Sequence, residues 1–582
     1  MARTRHLGAS QPIPLASLPG AALRAVLREG YGFGEFKRDA LAGLVVGVVA
    51  LPLSMALAIA VGVPPQRGLY TAIVAGFVCA LLGGSRTQVT GPTAAFIVIL
   101  APIYVKFGAA GLLVSGLLGG LILIAMGLFR LGRLIQFIPH PVTTGFTAGI
   151  ATVIASLQIK DLLGLRLASN PEHFTAKLGA MFAARGTASK WELGVGAVTL
   201  ALLLGAPRVT KRVPGPLIAL PSAALMAWAL TRWLPGFHVA TIAERFHTEI
   251  GGRVVNGIPQ LPPLPAWPWS AGSQPLSLNF DTLRELLPGA LAIAMLGAIE
   301  SLLSAVVADG MARTKHDPDA ELIAQGVGNV ITPFFGGIPA TGAIARTATN
   351  IRGGARSPVA AMVHALTVLS AVLLLAPALG YLPMAALAAL LLLVAWNMSE
   401  AKHFVHTLRV APKSDVAVLL TCYVLTVGFD MVVGVSVGMV LAAFLFMRRM
   451  AEVTEARLAE QGADVARADL PPHVALYEIS GPLFFGAAQK AMAALEVVDG
   501  ETQVVILGME QVHAMDATGL VALESALASL HAQGRLAVLC GVCPQPLALL
   551  TKAKLLNGDV QACATLDEAI EFARAKLEPT GG

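Results

Sequence analysis

Apolar stretches of about 20 residues, the length needed to cross a bilayer core as a helix, recur along this chain from Ala40 to about Met447. Such a chain has few options, because hydrocarbon offers no partner to a backbone N–H or C=O, and only helices and closed barrels satisfy every such group internally. Continuous apolar runs, rather than short alternating ones, select helices. Composition agrees, with 55% hydrophobic and 13% charged residues among 582. From Ala451 to Gly582 charged and apolar residues mix in ordinary proportion, so the last quarter is expected to lie in water.

Hydropathy gives about fourteen spans, beginning near residues 40, 68, 91, 110, 138, 191, 214, 288, 320, 342, 358, 381, 414 and 432. Lys and Arg concentrate on cytoplasmic loops. Here they follow the even-numbered spans: Arg86; Arg130 and Arg133; Arg208, Lys211 and Arg212; Arg313 and Lys315; Arg352 and Arg356; Lys402, Arg409 and Lys413; Arg448 and Arg449, whereas the short odd-numbered loops hold only Arg67 and Lys106 and the long odd loops 158–190 and 235–287 mix both signs. This phase predicts an even count with both termini in the cytoplasm, and the net charge of +6 needs no nucleic acid to explain it.

Four segments are expected: a cytoplasmic segment 1–39 without a cleavable signal, a transmembrane domain 40–449, a solvated connector 450–468, and a soluble domain 469–578. The long loop 235–287, with Pro259, Pro262, Pro263, Pro265, Pro268, Trp267 and Trp269, reads as a stiff interfacial connector. It divides the spans seven and seven, into repeats at about 40–234 and 288–449, and an odd number inverts the second copy. In the tail, Val474–Ile479, Val504–Leu507, Leu536–Leu539 and a run near Val560 read as strands. Helical spacing in Gly486–Val497, Thr518–Ala532, Pro546–Leu556 and Leu566–Lys576 completes a small α/β sandwich.

The third span begins Gly83-Gly84 … Thr90-Gly91-Pro92-Thr93-Ala94-Ala95, and the tenth begins Gly336-Gly337 … Thr341-Gly342-Ala343-Ile344-Ala345-Arg346. Interrupted segments at matching places in two halves point to the site of an inverted-repeat transporter. Two helices starting at Gly91 and Gly342 would turn free N–H groups and positive dipole ends toward an anion, with small side chains leaving room and the hydroxyls of Thr90, Thr93 and Thr341 adding donors. Helix packing through small residues is the competing explanation. Arg346 lies inside a span, either as a fixed positive charge for the anion or snorkelling to the cytoplasmic face. Glu300, inside the eighth span, is either a proton carrier or half of a structural ion pair with an arginine.

Other signals are weaker. Gly30, Gly32 and Gly34 follow no strand, so they make no nucleotide loop. Cys540-Gly-Val-Cys543 matches C-x-x-C but sits at a strand end, and His140 and His513 stand alone. No P-loop or clustered His/Cys set occurs, so no cofactor, metal site, enzymatic activity or ATP-driven pumping is expected.

Taken in order, Asp39-Ala-Leu-Ala-Gly43, Pro65-Gln-Arg-Gly68-Leu69-Tyr70, Gly91-Pro92-Thr93, Phe137-Ile-Pro-His-Pro141-Val142 with Gly145-Phe146-Thr147, and Arg346-Thr-Ala-Thr-Asn350 resemble the SulP anion-transporter family. The resemblance implies a polytopic α-helical membrane protein of fourteen spans in two inverted seven-helix repeats, a core moving like an elevator against a gate, and a homodimer. It places Leu53, Leu57, Thr93 and Ala345 beside the substrate, with Thr90, Gly91, Ala94, Thr341, Gly342, Ala343 and Arg346 around it. Many members have Gln and Ser where Leu53 and Ala345 stand, which sets the resemblance against a small inorganic ion.

The tail resembles a STAS domain, a small α/β module expected to serve regulation or assembly, through Ile479-Ser-Gly481-Pro482-Leu483-Phe484-Phe485 and Met515-Asp516-Ala517-Thr518-Gly519. Asp516 and Thr518 are its regulatory candidates, Thr518 by phosphorylation. Leu51–Ala58, Gly297–Leu303 and Trp396-Asn-Met-Ser-Glu400 are most similar to bacterial four-carbon dicarboxylate transporters of the inner membrane. They imply proton-coupled uptake of succinate, fumarate or aspartate. Sulfate, bicarbonate or chloride transport or exchange is the alternative, and a non-transporting sensor the third.

Overall fold

Each apolar run is helical in the computed structural model, as the demand for internal hydrogen bonding requires. The structure describes residues 18–133, 138–168, 171, 174–210, 214–250, 253–272, 275–429, 431–453, 455–458, 470–484, 488, 489, 491, 492, 501–556 and 560–577. They divide into two compact units, Met1–Met439 and Val440–Gly582.

In chain order the spans are Phe33–Val61, Pro65–Leu82, the third and fourth within Ile97–Leu128, then His140–Leu162, Lys190–Val209, Gly215–Trp233, Phe280–Ala312, Pro318–Ile331, Ile344–Arg352, Val359–Leu379, Met384–Ser399, Lys413–Gly428 and Met431–Val453. Backbone at Gly108 (φ 67°, ψ −166°) leaves the helical region and separates spans three and four. Spans nine and ten have only 14 and 9 residues. Spans one and eight begin seven or eight residues before their apolar runs, at Phe33 and Phe280 rather than near 40 and 288. In span eight Asn279 caps the extension, its Oδ1 accepting from the Thr282 N–H at 2.8 Å.

Helix packing is reciprocal. Span eleven packs on span one as span four packs on span eight; span nine packs on span four as span two packs on span eleven. Span thirteen lies against span five as span six lies against span twelve, and spans five and twelve pack on each other. That exchange is the signature of two inverted seven-span repeats. It sorts spans one to four and eight to eleven into a core, and five to seven with twelve and thirteen into a gate.

Core helices approach closely through glycine. A Cβ on Gly120 of span four would lie 2.7 Å from the Gly326 carbonyl oxygen of span nine, and one on Gly326 would lie 2.7 Å from the Gly120 oxygen. Asp39, fully buried, fastens span one to the turn before span eleven by accepting from the Arg356 N–H (2.7 Å), the Ser357 hydroxyl and the Tyr31 hydroxyl (2.8 Å).

The long loops carry structure of their own. Residues beyond span five form the helix Phe174–Ala183, and beyond span seven His247–Ile250 pairs with Arg253–Asn256. The proline-rich segment is pinned: Trp267 and Trp269 stack with ring centres 4.9 Å apart, both lie edge-on to Phe334, and the Ala266 N–H donates to the Phe334 carbonyl at 2.7 Å.

The soluble unit holds a five-stranded sheet in the order Glu455–Leu458, Val474–Ser480, Val504–Gln511, Leu536–Cys540, Val560–Cys563, with the first pair antiparallel and the rest parallel. Period-two alternation builds both faces. Val505, Leu507 and Leu539 pack with Leu523, Leu527 and Leu530 of Ala517–Ala532, while Val504, Ile506 and Val538 pack with Ala569, Ile570 and Ala573 of Leu566–Leu577. The expected connector 450–468 is corrected at Glu455–Leu458, whose backbone joins the sheet edge; a charged sequence hides an edge strand from hydropathy. Residues 454 and 459–468 of that connector, most of the expected helix Gly486–Val497, Phe137 and the loop cations Lys211 and Arg212 lie outside the described residues. Cys540 ends its strand, buried, and Cys543 precedes the helix Pro544–Lys552.

Gly326→Val inserts a branched side chain where two helix backbones nearly touch. We expect a loss of about 3 kcal/mol or more, read as a lowered thermal unfolding midpoint of the detergent-purified chain.

Candidate functional site

Thr90–Gly91 and Thr341–Gly342 form a two-residue antiparallel pair, Thr90 opposite Gly342 and Gly91 opposite Thr341, extended by the Ala343 N–H donating to the Val89 carbonyl at 2.9 Å. Each strand runs into a helix: Thr341–Gly342 into Ile344–Arg352, and Thr90–Gly91 into Ala94–Phe96, which leads to span three. The expected helix starts at Gly91 and Gly342 are therefore corrected. Thr93 and Ala343 are the N-caps, and the glycines lie in the strands. Glycine there leaves room for two side-chain ends: a Cβ on Gly91 would meet Arg346 Nη1, and one on Gly342 would meet Gln88 Nε2. The first N–H groups of each helix, at Ala94 and Ala95 and at Ile344 and Ala345, precede any intrahelical acceptor.

Arg346 binds the two halves together. Its side chain is 3% exposed, so it does not snorkel, and Nη2 donates to the Pro92 carbonyl of the opposite half. Among the described residues Nε and Nη1 are buried without a hydrogen-bond partner, as is the Thr93 hydroxyl. Among the described residues no carboxylate lies within ion-pairing distance of the guanidinium. A buried charge without a counter-ion costs several kcal/mol. An anion at the two helix ends would supply both the missing charge and the missing acceptors.

The Thr90 and Thr341 hydroxyls, expected as ligand donors, are used by the frame. Thr90 Oγ1 accepts from Gln325 Nε2 at 2.7 Å; Thr341 Oγ1 lies 2.7 Å from Ser301 Oγ and donates to the Gly297 carbonyl at 3.1 Å. Ala94 and Ala343 are buried and Ala345 is exposed; Leu57 is buried and Leu53 half-buried on span one, which packs against spans three and ten. Glu300 is 9% exposed on span eight, one residue before Ser301, and the expected pairing with an arginine is not found among the described residues.

The sequence reading missed the carboxylate that organises the frame. Glu321, 2% exposed, accepts at Oε2 from the Gly84 and Ser85 N–H groups (3.0 and 3.1 Å) and at Oε1 from Gln88 Nε2 (2.9 Å) and Gln325 Nε2 (3.0 Å). Asn329 brackets Ala340, donating to its carbonyl and accepting from its N–H, both at 2.8 Å. Thr347 accepts from the Val89 N–H at 3.0 Å and from Ser304. An acid inside an apolar span singled out Glu300; the same signal at Glu321 was masked by its place near a span end.

In the soluble unit Asp516 caps Ala517–Ala532, its Oδ1 accepting from the Gly519 N–H at 2.7 Å, and Thr518 is exposed on the first turn.

Two inverted sets of spans, a crossed strand pair at their centre and a parallel-sheet soluble unit define an SLC26-like membrane transporter fold. The structure of the mouse Slc26a9 anion transporter in its inward-facing state superposes with a TM-score of 0.82 over 98% of this chain and 97% of that one, at 18% identity. Residues 36–422 match the sulfate permease family and 466–569 the STAS domain, and the chain belongs to the sulfate permease (SulP) family. It is 40% identical to a Bacillus subtilis protein named "Putative sulfate transporter YvdB", over 91% of this chain and 96% of the relative. It is 27% identical to the bicarbonate transporter BicA of a Picosynechococcus species, over 90% and 92%.

Glu321→Leu would strand four buried donors. We expect a loss of about 3–5 kcal/mol of stability, and a much smaller one for Glu321→Gln, measured as thermal midpoints in detergent.

Proposed function

We propose that the chain is a secondary transporter of small inorganic anions, with sulfate or bicarbonate the favoured substrate, bound between the third and tenth spans. The observation that carries this is the Arg346 guanidinium, buried between two helix N-termini with Nε and Nη1 unpartnered. The functions named for YvdB and BicA support the substrate class. The site is held wholly by core helices, which suits an elevator movement of the core against the gate. Loop charges favour a bacterial inner-membrane orientation with the N-terminus and STAS domain in the cytoplasm. The SLC26-like fold favours a homodimer. The STAS domain is assigned to regulation or assembly, with the exposed Thr518 as a phosphorylation candidate.

A second reading, proton-coupled uptake of succinate, fumarate or aspartate, draws on the apolar Leu53 and Leu57 beside the site and on Glu300 as the proton carrier. It predicts a different transport assay. Purified protein in liposomes should take up labelled sulfate or bicarbonate, and Arg346→Ala should reduce this at least tenfold while leaving the thermal midpoint within a few degrees. Succinate uptake driven by an inward proton gradient, in the absence of sulfate and bicarbonate transport, overturns the inorganic-anion reading. If Glu300→Gln leaves any pH-driven uptake unchanged, Glu300 carries no coupled proton.

A further inference from the structure

Away from the core, a cavity of about 480 Å³ opens among span five, span twelve, span thirteen and the short helix Ala401–Val410. Small and apolar groups line it: Ala151 and Ala155 of span five, Leu392 and Trp396 of span twelve, Tyr423 of span thirteen, and Phe404 of Ala401–Val410, which forms a strap across it. Its volume is that of one long fatty acyl chain rather than of an inorganic anion.

The strap is amphipathic. Lys402, His406 and Arg409, spaced i, i+4, i+7, share one exposed face, whereas Phe404 and Leu408 turn inward. It is fastened at two points: His403 lies edge-on to His140 of span five with ring centres 5.0 Å apart, and Phe404 lies against Tyr423 of span thirteen at 5.5 Å. Trp396, 68% exposed near the end of span twelve, has the amphipathic ring that settles at headgroup level. Ala401, Phe404 and Val405 of this helix line the apolar slot, so Lys402 adjoins its lining in sequence and Arg409 lies one turn beyond Val405.

We propose that this groove holds an acyl chain of an anionic glycerophospholipid, whose headgroup phosphate rests on Lys402 and Arg409. Charge complementarity selects the occupant: a second copy of the chain would bring the same cations against themselves, and a neutral lipid would leave them unused. The lipid joins spans five, twelve and thirteen to the strap, so it is a structural ligand of the gate.

Native mass spectrometry of the full-length, delipidated protein titrated with phosphatidylglycerol or phosphatidylcholine tests this. Phosphatidylglycerol adducts should form preferentially, and the double variant Lys402→Gln, Arg409→Gln should weaken them roughly thirtyfold, from two interfacial cations, without changing phosphatidylcholine adducts. Ala155→Trp, which fills the slot, should remove the specific adduct of either lipid. Equal binding of the two lipids, or adducts indifferent to both variants, overturns the proposal. If Ala155→Trp instead converts a dimer to a monomer with its lipid adducts intact, the groove is an interface between copies and the lipid assignment falls.

Discussion

Two helices interrupted in the middle of a membrane protein expose backbone groups that water cannot reach, and the core is arranged around satisfying them. Thr90–Gly91 and Thr341–Gly342 do part of this by pairing with each other. The turn before the first strand hands its Gly84 and Ser85 N–H groups to the Glu321 carboxylate, and the turn before the second is bracketed by Asn329. Span nine supplies Glu321, Gln325 and Asn329 from successive turns, so one short helix holds both halves of the crossing. An irregular backbone at this depth persists because buried side chains replace the solvent.

The same frame leaves several buried polar atoms without a partner among the described residues, and three of them belong to Thr93 and Arg346 at the crossing. Thr90 and Thr341 spend their hydroxyls on Gln325, Ser301 and Gly297, whereas Thr93 and two guanidinium nitrogens of Arg346 have no protein partner.

The soluble unit follows a different solvent logic. Its central strands carry apolar residues on both faces because helices cover both, and Glu455–Leu458 stands at the end of the strand order among the described residues. Asp516 is a helix cap there, which gives the Asp-x-Thr-Gly loop a structural use independent of any modification of Thr518.

By itself the sequence determined the solvent of each part, the approximate place of all fourteen spans, the inversion of the halves, the strands of the soluble domain, and the matching positions of the two Thr-Gly segments, which the structure pairs with each other. Each is local: a run of apolar residues, the charge of a loop, a repeated dipeptide. Charged extensions such as Asn279–Glu285 and the edge strand Glu455–Leu458 escaped because hydropathy sees only apolar surface. Tertiary structure alone decided that the glycines lie in strands rather than at helix starts, that Thr90 and Thr341 serve the frame, that Glu300 has no arginine partner among the described residues, and that Glu321 closes the network. Those facts depend on which groups from distant spans meet, with Gly84 and Glu321 over two hundred residues apart in sequence, and hydrogen-bond satisfaction across such distances leaves no periodic trace in a single chain.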